Sequence, residues 1–199
     1  MNEGALVTVS DAPMGLPPQS TALEIEFPPQ HNRLTTFFRF ILAIPLFLFI
    51  WVYEIAALVA VIIAWFALVI TGRYPDGLYR FVSGFLRYYM RVVCYILLVV
   101  DVYPPFGGAE YPDYPVHVAI PERKQEYSRR KALLRFFYLL PMLILVCFLM
   151  IVLYVLVIIA WVAIVVSARL PEFIATYAQF ALGWLLTFQA LALMLTENY

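Results

Sequence analysis

Two long apolar runs constrain this chain more than any other feature. Residues 37–70 carry two charges, Arg39 and Glu54, and residues 132–166 carry one, Arg135. As continuous helices such runs reach about 50 Å, against a hydrocarbon core of about 30 Å. A chain that is 64% hydrophobic and 13% charged, with a mean hydropathy of +0.87, has too much apolar surface for a soluble domain of its 199 residues. The sequence therefore predicts an all-α integral membrane protein.

The two runs are copies of one unit. Arg39 and Arg135, Pro45 and Pro141, Trp65 and Trp161, Arg73 and Arg169, and Pro75 and Pro171 all stand 96 positions apart. The register continues to Asp101 against Glu197 and Tyr103 against Tyr199. Ahead of each unit an alternating stretch, LEIEF (23–27) or VHVAI (116–120), has the two-residue period of a strand. The organisation read from this is a flexible polar tail over 1–22, a first membrane repeat over 23–106, a Pro/Gly connector over 107–115 and a second repeat over 116–199. The two strands either pair with each other or add to a partner's sheet, since two short strands do not fold alone in water.

About four membrane crossings are expected, with six as the alternative. In the four-crossing reading each run bends in near Pro45 or Pro141, because proline suits a first helical turn and disrupts an interior. Six crossings require a hairpin near Tyr53 and Glu54, where no glycine or proline supports a turn. With four crossings, the basic residues of the tail and middle link outnumber those of the opposite side. That bias puts both termini of this multi-pass chain in the cytoplasm, in a bacterial inner membrane. No secretory signal is expected in the first 30 residues, which lack a basic start and an apolar core.

Zero net charge argues against nucleic acid as a partner. Cys94 and Cys147 read as small buried hydrophobes rather than a disulfide pair. His31 and His117 stand alone, so neither a metal nor haem is expected. No nucleophile–base arrangement and no phosphate-binding glycine motif occurs, and no cofactor or catalytic residue is expected.

TGRYPDGLYRFVSGFLRYYMRVVCYILLVVDVYPPF (71–106), with the IIAWFALV that precedes it, resembles a bacterial membrane family common in actinobacteria, the domain-of-unknown-function family 4389. The resemblance is fuller over 23–106 than over 115–199, where SARLP replaces TGRYP and the arginine stripe is lost. It implies architecture and supplies no catalytic residues.

Four candidate sites remain. Glu54 falls well inside the first apolar run, where an ionisable group is costly and marks a charge-pairing or proton site; the plainer reading is a protonated carboxyl bonded to a helix neighbour. Arg80, Arg87 and Arg91 share a helix face that suits anionic lipid head groups, a pair with Glu54, or an acidic partner; the plainer reading is snorkelling to the interface. Arg73 and Arg169 read as helix C-terminal caps in contact with lipid phosphate. Tyr103, Pro104, Pro105 and Phe106 form an extended partner-binding connector. The function expected is a non-catalytic accessory or scaffold subunit of a larger membrane complex, with lipids and other membrane subunits as partners. The alternative is a small transporter, channel or lipid-handling protein using Glu54 and the arginine face.

Overall fold

A computed structural model describes residues 21–197 of the chain. The expected flexible tail lies almost wholly outside these residues, as does Tyr199. In order come β1 (Ala22–Ile25), α1 (Arg33–Phe37), α2 (Arg39–Thr71), α3 (Asp76–Ile96), β2 (Val116–Ala119), α4 (Arg129–Ser167) and α5 (Glu172–Ala192). Helices α2 and α4 contain segments long and apolar enough to cross a membrane.

Both long helices are unbroken through their prolines. The expected bend at Pro45 and Pro141 is not where the chain divides. Each proline removes one backbone donor from the helical ladder, yet Pro45 stands six residues inside α2 and Pro141 twelve inside α4. The first copy is interrupted earlier, at Phe38, whose N–H turns back to the Leu34 carbonyl. The hairpin at Tyr53 and Glu54 is absent too, since both residues lie mid-helix in α2.

Each long helix ends on a residue in the left-handed region, Gly72 (φ 72°) or Ala168 (φ 58°). Its backbone N–H closes the last turn on Leu68 or Ile164, 2.9 and 2.7 Å away. Glycine suits this conformation, and an L-residue accepts it at a cost. The chain then reverses through Pro75 or Pro171 into α3 or α5, which packs antiparallel to the helix before it.

The copies are inverted relative to each other. Phe37, at the start of the first copy, packs on Trp161 near the end of α4, with ring centroids 6.2 Å apart. At the same end the His31 N–H donates to the Ala168 carbonyl at 2.9 Å, and at the other end of the helices the Tyr127 N–H donates to the Gly72 carbonyl at the same distance. His31 corresponds to Tyr127, and Ala168 to Gly72, so these two bonds are one bond repeated by a pseudo-two-fold axis. The strands obey the same symmetry. β1 and β2 pair antiparallel, with Glu24 opposite His117 at the centre.

Three layers result. Helices α2 and α4 form the first, with mostly apolar outer faces exposed over nearly their whole length. Helices α3 and α5 form the second. The sheet and the link between copies form the third, β2 packing on α3 and β1 on α5. The link follows α3 backwards. Arg91 donates to the Ala109 carbonyl, Tyr79 to Pro121, and Arg123 pairs with Asp76. The sequence reading placed Arg123 and the Arg73–Arg80 region on opposite sides of the protein; the pairing of Arg123 with Asp76 puts them at one end. The charge count that gave the expected orientation therefore rests on a segregation this fold does not have.

Side-chain volumes trade places between copies. α2 buries Ala57 where α4 buries Leu153, while α3 buries Phe85 where α5 buries Ala181. The first copy sets small residues on the long helix against large ones on the short helix, and the second does the reverse. A tyrosine bond is exchanged in the same sense. Tyr53 on α2 donates to the Phe81 carbonyl of α3 at 3.4 Å, and Tyr177 on α5 donates to the Leu149 carbonyl of α4 at 3.0 Å.

Candidate functional site

The polar interior is built around Arg39. Its guanidinium donates to the Tyr95 carbonyl (2.6 Å), the Val100 carbonyl (3.1 Å) and Asp101 Oδ1 (2.6 Å), and sits 4.4 Å from the Tyr95 ring centre. Asp101 Oδ2 accepts the Asn32 N–H at 2.9 Å, and the Asn32 side chain caps α1. The second copy repeats the arrangement. Arg135 donates to the Thr196 carbonyl at 2.6 Å, and Glu197 accepts the Ser128 N–H at 2.8 Å. These clusters pin the end of each short helix to the start of its long helix. Reading the sequence found both charged pairs by their spacing but did not join them, because most of the partners are carbonyls.

His31 is buried beside this cluster, with Nδ1 4.0 Å from Asp101 Oδ1 and no hydrogen-bond partner on either ring nitrogen. Burial holds its pKa below the usual histidine value, against the pull of Asp101 and with a smaller push from Arg39.

Glu54 lies in the middle of α2 and is exposed. It makes no hydrogen bond or ion pair among the described residues, so neither a helix-neighbour bond nor a pair with the arginine face is present. Its electrostatic neighbour is Tyr89 of α3.

The arginine face is divided. Arg80 is exposed and stands apart from the other two. Arg87 and Arg91 turn toward the link, where they line a cavity of about 380 Å³ with Glu110, Tyr111 and His117. Arg87 Nη2 pairs with Glu110 Oε1 at 2.6 Å. Arg91, only 3% exposed, donates through Nη2 to Ala109 and lies over the Tyr111 ring at 4.8 Å. Burial of Arg91 replaces the expected snorkelling, because the link covers α3 on this side.

Arg73 and Arg169 are exposed and do not cap their helices; the backbone of Gly72 and Ala168 does so. The connector is folded rather than free. Tyr103 packs on Tyr95, Phe106 packs on Phe49 and Tyr88, and Pro104 is buried. Tyr103 and Phe106 keep 38% and 47% exposure, leaving a partner only their outer edges.

The fold and its polar clusters define a protein of two inverted helical units with one apolar outer layer and one polar one. The family model described as Domain of unknown function (DUF4389) matches residues 33–107 and again residues 129–199. The chain belongs to that family and carries two tandem copies of its domain. No curated protein and no solved structure matches it.

Proposed function

We propose that the chain is a non-catalytic integral membrane protein serving as an accessory or scaffold subunit of a larger membrane assembly. Glu54 carries this reading. It is exposed at the middle of α2, on the side toward Tyr89 of α3, and has no bonded partner among the described residues. A carboxyl in hydrocarbon costs about 2.5–3.5 kcal/mol on insertion scales unless a neighbour satisfies it. A helix of another membrane subunit, with a hydrogen-bonding side chain facing Glu54, meets that need.

The layering bears on how the protein sits in its membrane. Four upright crossings would carry the link alongside α3 through the bilayer, with Glu110 and Asp113 exposed. Each strand of a two-stranded sheet also keeps one unpaired edge, and open edges are not stable against lipid. We favour α2 and α4 lying within one leaflet, their outer faces in acyl chains and the sheet layer toward water. Both termini then share one side, proposed as the cytoplasmic face of a bacterial inner membrane. The exposed Arg129, Arg130 and Lys131 suit its anionic lipids.

Extraction of the tagged native protein into polymer nanodiscs, followed by native mass spectrometry, tests the assembly. A stoichiometric complex that Glu54→Gln leaves intact and Glu54→Lys dissociates is expected; a lone chain carrying only lipid sinks the reading. Spin labels at Ile44, Ile55 and Phe66 test the orientation. Similar membrane depths are expected at all three, and a steady depth gradient would restore upright crossings.

A further inference from the structure

The cavity between α3 and β2 brings buried positive charge to open space. Arg91 is almost wholly buried, and its Nη1 has no hydrogen-bond partner. Arg87 Nε, four residues earlier on the same helix, is also buried without a partner. Both side chains line the cavity with His117. The one carboxylate there, Glu110, is 74% exposed and holds only Arg87. Two guanidiniums against one carboxylate leave an excess positive charge, with two N–H groups unused. Unused donors on buried charged groups are costly, and an anion with several acceptor oxygens satisfies both at once.

We propose that this cavity binds a phosphate group, held between Arg87 and Arg91, with Glu110 as a displaceable competitor. The site belongs to the first copy alone. The positions matching Arg87 and Arg91 are Gly183 and Thr187, and Thr187 there meets Thr21 at 3.4 Å. The phosphate belongs either to a phospholipid head group at the sheet-layer surface or to a free phosphate from water.

The test uses the whole chain in nanodiscs and does not depend on any partner subunit. Inorganic phosphate is titrated by calorimetry into protein held in phosphatidylcholine discs. In parallel, native mass spectrometry scores which lipid the protein retains from an equal mixture of phosphatidylglycerol and phosphatidylcholine. Arg87→Gln is expected to weaken binding roughly fivefold and Glu110→Gln to strengthen it by a similar factor. Both residues are at least partly exposed, so these variants fold even if an Arg91 variant does not. Phosphatidylglycerol retention that follows these variants supports a lipid head group. Phosphate binding without lipid preference supports a free phosphate. No phosphate binding, with retention identical in the wild type and both variants, overturns the site.

Discussion

Arg39, itself buried, pairs with the partly exposed Asp101 at 2.6 Å and so joins the first turn of α2 to the chain just beyond α3. Their counterparts Arg135 and Glu197 do not pair with each other. Glu197 faces Ser128 and, at 3.9 Å, Lys124. One ancestral pattern thus yields a closed pair in one copy and a shared carboxylate in the other.

Removing the carboxylate should therefore cost more in the first copy. Asp101→Asn leaves a buried arginine without its countercharge, a loss of about 3–5 kcal/mol. Glu197→Gln weakens a hydrogen bond and a long ion pair, for about 1 kcal/mol. Thermal unfolding of both variants in one detergent measures the difference. Equal losses would show that Arg39 is held by its carbonyls alone.

The traded volumes predict losses of opposite origin, overfilling and cavity, for one substitution pair. Ala57→Leu overfills the first copy and should cost about 1–3 kcal/mol. Leu153→Ala opens a hole in the second and should cost about 2–5 kcal/mol. Unfolding midpoints report both, and a neutral Ala57→Leu would mean that the α2–α3 contact is loose.

Gly108 lies against Gly84 so closely that an added Cβ would overlap the α3 backbone. Gly108→Ala must push the link off α3, with a loss of about 1–3 kcal/mol. Because the same link bears Ala109 and Glu110, the variant should also become more sensitive to proteolysis between residues 103 and 115.

His31 predicts an acid limb in stability. Its pKa is lowered in the folded protein, so below about pH 6.5 the unfolded chain binds the extra proton first. Stability is full above that pH and falls as pH drops through the window beneath it. His31→Gln should flatten this limb in unfolding curves recorded between pH 7 and pH 5. An unchanged limb would assign it to other groups.

Much of this fold was legible in the sequence. The offset of 96 located both units and both reversals, and the two-residue alternation marked both strands while leaving their pairing open. Inversion was not legible, because a repeat offset is the same whether copies are parallel or antiparallel in space. It is set by contacts such as Tyr127 to Gly72, which are backbone to backbone and carry no residue signature. Continuity through Pro45 and Pro141 was hidden for a related reason, since packing overrode a local propensity. The arginine spacing put Arg87 and Arg91 on one face of α3, where both line the same cavity. It did not reveal that Arg80 would be left out, because the path of the link decides that.

The reciprocal bonds from His31 to Ala168 and from Tyr127 to Gly72 have one more consequence. Each unit supplies the donor of one bond and the acceptor of the other, and the chain joins the two units as a homodimer would join its subunits. The interface between the halves is isologous, though it lies within a single polypeptide. A chain bearing one such unit would be self-complementary, and would close with a second copy of itself into the shape that tandem duplication here makes permanent.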